Sequence, residues 1–550
     1  MCSTRKAAYI ILAALFYLFL RGIGDHGLLD PMEGVHASVA LNMVARGNAF
    51  FPMIGDLPYI GKSMGFWWLS SLGLILFGWL EFSVRFWPAL AGLGVAVVSW
   101  FITRRTMNER AANYAAVIAG TNLLTYGASQ IASPHTLFAL CVTGALAGIV
   151  YAFRDRRFFL LLHAASAAAL IICGPIGIIL PWLCLLIYAY IAEQEDFLLS
   201  ALSYWPGLLA TTLLAGGYLL ALYIKNPEIL TLMRYNPPEV ALNSFSSSLM
   251  FLAAGFFPWV GVLPYAFKSA WPGNWRVILP SEKEGVLLLV WWGVFTFFGL
   301  FSGDALLLMA ATPALTVLCA NFLAKAVEEG KTARLRHVAA MEILLFVLFL
   351  FIGLPWFYLG PGFALRGTLL SVVPWTLFCL FFLCSGWYYS KTRQPRKLML
   401  HLCAYSMLSL LPLAGVFDLL AAGSSMQNVG VYLKDRLQED SLLVQYAMNR
   451  PSLFFYTAKD SLLIDADASL RIRGQNAVSE LELNQAWNET RRVFLVIARS
   501  QKIGSPLPRE VYNLYETMEL IVLSNARESL ESRIEVGRET LAEPEGVGRR

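Results

Sequence analysis

The sequence predicts an all-α polytopic membrane protein, with about 13 transmembrane helices, followed by a small C-terminal α/β domain. Of its 550 residues, 57% are apolar and only 14% are charged, whereas soluble proteins carry about 25% charged residues. Long uncharged runs alternate with short clusters of Arg and Lys through the first three quarters of the chain. The last quarter has the composition of a soluble protein.

Spans are predicted where about 20 apolar residues follow one another, because a helix satisfies its own backbone hydrogen bonds in lipid. The first span, at 7–20, follows Arg5 and Lys6 and has no small-residue cleavage site, which predicts a retained anchor. The other predicted spans are 86–103, 111–130, 131–153, 158–173, 176–192, 198–224, 245–267, 286–302, 305–324, 343–359, 368–389 and 402–417.

One further apolar run, 64–77, is too short to cross easily and is predicted to be an interfacial helix. The distribution of basic residues supports this assignment. With a cytoplasmic N-terminus, the basic loops 104–110, 154–157, 268–285, 325–337 and 391–397 lie inside, and only the acidic loop 193–197 departs from the positive-inside rule. A span at 64–77 would place all these basic loops outside.

An odd number of spans puts the C-terminal region on the outer face. We therefore predict a membrane domain at 1–420, with a catalytic first outer loop at 24–85, and a periplasmic α/β domain at 421–550. Within the second domain, "VGVYLKDRLQE" has helical periodicity, and "SLLVQYAM", "SLFFYT", "RRVFLVIA" and "MELIVLS" are typical of short strands.

Several function classes find no support in the sequence. The cysteines lie mostly in apolar runs without metal-ligand or disulfide spacing, so neither a metal nor a cofactor is expected. There is no Gly-rich phosphate loop, HExxH or GxSxG motif. The net charge of +5 comes mainly from loops at membrane edges, and no nucleic-acid partner is expected.

The first outer loop carries the candidate chemistry, because charges near a membrane face tend to mark function. Asp30 and Glu33 flank the start of a predicted helix at 33–46. A structural alternative stays open, in which Asp30 caps the helix and Glu33 completes a capping box. For Lys62, the alternative is an anchor that snorkels to lipid headgroups.

The run "DPMEGVHASVALNMVARGNAFFPMIGDLPYIGKSMGFWWLSSLGLILFGWLEFSVRFWPALAG" resembles the lipid-linked sugar glycosyltransferases of the GT-C fold, in the aminoarabinose-transferase and protein O-mannosyltransferase superfamily. The resemblance covers the first 150 residues and recurs more weakly at 255–264, at 300–315 and in "RRVFLVIARS". It implies an inverting transferase at the bacterial inner membrane. The implied partners are a polyprenyl-phosphate-linked sugar donor, a lipid or glycan acceptor such as lipid A, and membrane lipids, and a monomer is expected.

The resemblance also implies roles for individual residues. A carboxylate, Asp30 or Glu33, would act as base on the acceptor hydroxyl, and Lys62 and Arg85 would hold the departing phosphate. The expected sugar- and acceptor-binding residues are His36, Tyr59 and His135.

This chain departs from the family pattern at several positions. The first acid of the usual Asp-Glu pair is Met32, and a second acid of the family is His135. The family's usual Lys and Tyr after "SG" fall at Ala305 and Met309. Two alternatives to the transferase function therefore stay open: a non-catalytic protein that binds lipid-linked sugars, and a transporter or flippase of lipid-linked sugars. The absence of an evident internal repeat favours the enzyme over the transporter.

Overall fold

The computed structural model describes residues 2–59, 64–225, 245–275, 277–302, 304–359, 369–411, 413–464, 477–478, 483, 485, 487–488, 491–501, 511–517 and 519–527. Lys62 lies outside the described residues. The chain divides into two compact units. The first comprises residues 1–26, 43–52 and 60–420, and the second comprises residues 27–42, 53–59 and 421–550.

Helices make up most of the N-terminal 424 residues. Apart from Met32–Arg46, which is described with the second unit, they are Cys2–Leu20, Met64–Phe77, Glu81–Thr106, Glu109–Thr121, Leu123–Ser129, His135–Ala152, Phe159–Cys173, Ile176–Ile191, Glu195–Leu202, Trp205–Thr211, Gly217–Lys225, Phe245–Gly255, Leu263–Ala270, Lys283–Phe301, Thr312–Glu328, Thr332–Leu359, Leu369–Lys391, Pro395–Ser409 and Leu413–Ser424. Shorter helical turns lie at Arg156–Phe158, Thr212–Gly216, Val260–Val262 and Ala305–Ala311.

Among the described residues, 6 helical segments are long and apolar enough to cross a membrane. They are Glu81–Thr106, His135–Ala152, Arg156–Cys173, Trp205–Lys225, Lys283–Phe301 and Ala305–Glu328. The prediction of an all-α, multi-pass membrane protein is thus confirmed. The number of thirteen crossings stays a prediction, as does the interfacial position of the Met64–Phe77 helix.

Some predicted spans are interrupted in the structure. The run 111–130 is two helices, because Asn122 leaves the helical conformation and its side chain accepts a hydrogen bond from the Thr125 backbone N–H. The Leu123 N–H bonds instead to the Phe257 carbonyl, 2.9 Å away on another segment. The run 245–267 is likewise broken between Gly255 and Leu263. The backbone N–H of Leu123, which lacks a partner within its own helix, thus bonds to a residue distant in sequence. Sequence periodicity does not reveal such a partner.

Small residues allow the helices of the first unit to pack closely. A Cβ added to Gly148 would clash with the Leu162 backbone, and one added to Gly92 would meet Phe19 and Ser129. Leu15, Leu18 and Phe19 of the first helix form one buried cluster with Tyr126.

The second unit contains a mixed sheet. Its strands are β3 (Leu442–Tyr446), β4 (Ser461–Ile464), β5 (Ala477–Val478), β6 (Val493–Ala498), β7 (Tyr512–Glu516) and β8 (Leu520–Ser524), in the order β5-β4-β3-β6-β8-β7. Strands β5, β4, β3 and β6 are parallel to one another, whereas β8 runs antiparallel to β6 and to β7. The predicted α/β character is confirmed.

Among its described residues, this unit also contains most of the Met32–Arg46 helix, the helices Gln427–Lys434 and Ser452–Thr457, and a hairpin that pairs β1 (Met53–Ile54) with β2 (Leu57–Pro58). The assignment of "SLFFYT" to a strand is wrong, because residues 452–457 form a helix. The N–H of Ser452, at its first turn, donates to the Asp30 side chain, a partner more than four hundred residues away that a local pattern cannot include.

Candidate active site

Asp30 lies just before the Met32–Arg46 helix and bonds to the start of another helix in the same unit. Its Oδ1 accepts a hydrogen bond from the Ser452 backbone N–H at 2.9 Å, and its Oδ2 accepts one from the Ser452 hydroxyl. Burial raises the pKa of Asp30 to about 7, although the bonds from Ser452 and the charge of Arg450 oppose this rise. A carboxyl that gains and loses its proton near neutral pH suits general-base catalysis.

Glu33 is fully buried on the first turn of the same helix. Its Oε2 accepts a hydrogen bond from the Leu29 backbone N–H at 2.8 Å. This contact is of the kind that the capping alternative predicts, since it satisfies a backbone donor ahead of the helix. The two carboxylates therefore have different surroundings: Glu33 binds its own loop, and Asp30 binds Ser452.

Three further contacts hold residues 28–38 against residues 451–456. The Ser38 hydroxyl donates to the Pro451 carbonyl at 2.8 Å, and the Tyr456 hydroxyl accepts from the Leu28 N–H at 2.9 Å. At Gly34, an added Cβ would overlap the Asp30 carboxylate and the Ser452 backbone nitrogen. The position of Asp30 is thus set by close backbone packing.

The other predicted residues of the second unit, His36 and Tyr59, are partly exposed. His36 lies one turn after Glu33 on the Met32–Arg46 helix, so the two share a face. Tyr59 follows strand β2, and burial raises the pKa of its hydroxyl. Their sugar-binding role stays a prediction.

Arg85 belongs to the first unit and is fully buried on the Glu81–Thr106 helix. Its Nη1 donates to the Ile23 carbonyl at 2.9 Å and to the His26 carbonyl at 2.7 Å. This guanidinium therefore holds the segment that leads into the acidic loop, and its contacts are typical of a positioning residue.

His135, also in the first unit, joins two polar side chains. Its Nε2 lies 2.6 Å from Asp304 Oδ2, and its Nδ1 lies 2.7 Å from the Ser133 hydroxyl. Asp304 was missed by the sequence analysis, although a signal was present, because it is the one charged residue in the run 285–324. A charged side chain inside such an apolar stretch costs free energy in a membrane, and this cost alone makes the acid a candidate functional residue.

Known proteins resemble this chain both in sequence and in fold. Residues 61–219 match the model of a family described as dolichyl-phosphate-mannose-protein mannosyltransferase. The solved structure of ArnT from Cupriavidus metallidurans bound to undecaprenyl phosphate has a TM-score of 0.78 and 18% identity to this chain, over 94% of this chain and 98% of that one. The chain has the GT-C fold.

Curated relatives of this GT-C protein share a narrower part of the sequence. An undecaprenyl phosphate-alpha-4-amino-4-deoxy-L-arabinose arabinosyl transferase of Pectobacterium atrosepticum is 27% identical over 53% of each chain. A protein of the same name from Sodalis glossinidius is 30% identical over 51% of this chain and 52% of its own length. The chain thus spans about half the length of these curated relatives.

Proposed function

We propose that this protein is an inverting glycosyltransferase that moves a monosaccharide from a polyprenyl-phosphate donor to a lipid or glycan acceptor. The observation that carries the proposal is the GT-C fold, shared over 94% of this chain with the undecaprenyl-phosphate-bound ArnT. The names of the curated relatives, which are arabinosyl transferases using an undecaprenyl-phosphate sugar, support the same donor class.

The proposed place of reaction is the outer face of the bacterial inner membrane, with a cytoplasmic N-terminus and the C-terminal unit outside. The basic loops support this orientation through the positive-inside rule. A lipid A-like acceptor fits this location, and the protein is proposed to act as a monomer.

In the proposed reaction, the acceptor hydroxyl attacks the anomeric carbon of the donor sugar. A base takes the hydroxyl proton as the new C–O bond forms. The bond between the anomeric carbon and the phosphate oxygen breaks, its electron pair leaves with the polyprenyl phosphate, and the anomeric centre inverts. A cation must stabilise the negative charge that develops on the phosphate.

We assign the base to Asp30 rather than to Glu33. Asp30 has a pKa near 7, whereas the fully buried Glu33 holds the Leu29 N–H. We assign the phosphate to Lys62, the lysine of the family pattern. Arg85 is proposed to act through the segment it holds, because its Nη1 binds the carbonyls of Ile23 and His26.

The departures at Met32 and His135 favour one alternative, a relative that binds lipid-linked sugars without transferring them.

A transfer assay distinguishes the glycosyltransferase from this non-catalytic binding protein. Membranes containing the full chain would receive undecaprenyl phosphate-linked 4-amino-4-deoxy-L-arabinose and, in parallel, undecaprenyl phosphate-linked hexoses. Mass spectrometry of the lipid and glycan fractions would detect the transferred sugar.

The expected result is transfer by the wild type and a loss of about a hundredfold or more in Asp30→Asn, since general bases contribute 10²–10⁴-fold. Asp25→Asn is the matched control, because Asp25 is an exposed carboxylate of the same loop. Equal activity of Asp30→Asn and wild type would remove Asp30 as the base. A wild type that binds these donors but transfers none of them would favour the binding protein.

A further inference from the structure

Ser133, His135 and Asp304 form a polar cluster in the first unit. Asp304 precedes the helical turn Ala305–Ala311, and its Oδ1 accepts a hydrogen bond from the Leu306 N–H at 3.2 Å. Its Oδ2 lies 2.6 Å from His135 Nε2. The Ser133 hydroxyl, 2.7 Å from His135 Nδ1, completes the cluster.

The two titratable side chains differ in what they can offer a ligand. Both ring nitrogens of His135 are engaged within the cluster, and its side chain is only 13% exposed. The Asp304 side chain is 45% exposed. A carboxylate has about four lone-pair positions, so Asp304 can accept a hydrogen bond from a ligand while it stays bonded to His135. The histidine that the sequence singled out is thus the orienting partner of an acid.

The backbone around Asp304 is held in place by apolar packing. Leu308 and Met309, on the turn that Asp304 begins, are fully buried against Val95, Leu124 and Ala139. These partners come from three different helices of the same unit. A carboxylate held by its neighbours in this way loses little conformational entropy when it binds a ligand.

The cluster lies toward the same end of the helix bundle as Arg85. Gln130, five residues before His135, donates from Nε2 to the Phe19 carbonyl at 3.1 Å. Four residues after Phe19, the Ile23 carbonyl accepts from Arg85 Nη1. Under the proposed topology this is the outer end, where the head of a lipid-linked sugar would lie.

We propose that Asp304, oriented by His135, binds hydrogen-bond donor groups of a lipid-linked saccharide. This inference rests on the proposed glycosyltransferase function and adds a sugar-binding residue to it. Sugar hydroxyl and ammonium groups form short, charge-assisted hydrogen bonds with a carboxylate. The sugar belongs either to the polyprenyl-phosphate donor or to the acceptor, and both present the same chemistry.

The test uses the full chain purified in detergent, with three variants. Asp304→Asn removes the charge, His135→Gln removes the ring that orients it, and Ser302→Ala is the matched control. The Ser302 hydroxyl bonds only to the backbone of Asp304 among the contacts of the described chain. Binding would be measured for undecaprenyl phosphate with and without its sugar, and KM would be measured separately for donor and acceptor.

If Asp304 binds the donor sugar, Asp304→Asn weakens binding of the sugar-bearing lipid by about 10- to 100-fold, since a hydrogen bond to a charged group is worth about 1.5–3 kcal/mol. Its affinity for undecaprenyl phosphate without sugar stays unchanged. If Asp304 binds the acceptor sugar, only the acceptor KM rises. His135→Gln is expected to change the same binding or KM value as Asp304→Asn, by a smaller factor. The double variant should lose no more than Asp304→Asn alone.

Binding and KM values for Asp304→Asn that equal those of the wild type would overturn the inference. If Asp304→Asn does not fold, Asp304→Glu decides, because it keeps the charge but moves it by one methylene, and unchanged sugar binding would contradict a positioned carboxylate. Failure of the proposed function gives a different result. The wild type would then transfer no sugar, while a sugar-dependent difference in binding would still report on Asp304.

Discussion

At the scale of single residues, the structure separates side chains that the sequence left equivalent. Asp30 and Glu33 are both acids at the start of one helix, and either could have been a cap or a base. Glu33 binds the Leu29 N–H of its own loop, whereas Asp30 binds Ser452. The helix-capping alternative therefore describes Glu33 better than Asp30. The proton affinity of Asp30 is set by burial, which no local sequence pattern encodes.

The raised pKa of Asp30 predicts a pH dependence of both activity and stability. A base must be ionised, so kcat/KM should rise with pH up to about 7 and then level off. Because the folded state binds this proton more tightly than the unfolded chain does, ionisation removes stability as pH rises from about 4 to about 7.

Both effects should be absent in Asp30→Asn. The measurements are pH–rate profiles and thermal unfolding of the wild type, Asp30→Asn and the control Asp25→Asn. Relative to Asp30→Asn, the wild type should have a higher Tm at about pH 4 than at about pH 7. A difference that does not vary with pH would contradict the raised pKa.

At the scale of elements, the Met32–Arg46 helix shows how a short segment acquires its position. Its amphipathic pattern and the preceding Asp-Pro pair are visible in the sequence. Its partners, the Pro451 carbonyl and the Ser452 N–H, are not, because they follow it by more than four hundred residues. The same holds for residues 452–457, whose composition resembles a strand and which form a helix beside Asp30.

Close packing at Gly34 gives this element a specific test. A methyl group at this position would overlap the Asp30 carboxylate and the Ser452 nitrogen. Gly34→Ala should therefore reduce transfer at least tenfold and lower the Tm, because overpacking typically costs about 1–3 kcal/mol.

Gly127→Ala is the control for this substitution. Gly127 is also helical, and an added Cβ there meets nothing within 4 Å. That variant should keep its activity and Tm, since alanine is the better helix former. Equal behaviour of the two variants would mean that the Met32–Arg46 helix is not packed as tightly as described.

At the scale of the whole molecule, the charges of the loops and the number of spans are linked. The chain has long apolar helices separated by basic loops, and only an odd number of crossings places the N-terminus inside and residues 421–550 outside. The position of the short Met64–Phe77 helix decides this parity. If that helix crossed the membrane, the basic loops would lie outside.

Reporter fusions test this topology directly. Green fluorescent protein fused after Arg550 should not fluoresce when exported, whereas alkaline phosphatase at the same position should be active. A fusion to a chain cut after Gly330, in a predicted inner loop, should give the opposite pair of results. Fluorescence from the fusion after Arg550 would show an even number of crossings, and the Met64–Phe77 helix would then have to be reconsidered as a span.

The sequence by itself determined the membrane character, the α/β nature of the C-terminal region and the resemblance from which the GT-C fold was predicted. These properties follow from composition, from periodicity and from the order of motifs along one short run, all of which are local. Lipid solvation also leaves the chain few choices, since a helix is the structure that satisfies its own backbone there.

Only the tertiary structure decided which side chains work together. It placed residues 27–42 and 53–59 in a compact unit with residues 421–550, and it paired His135 with Asp304 and Asp30 with Ser452. Hydrogen bonding and burial depend on groups that meet in space from distant parts of the chain. The chemistry of Asp30 and Asp304 is therefore a property of the folded chain, whereas the scaffold that carries them could be predicted from the sequence.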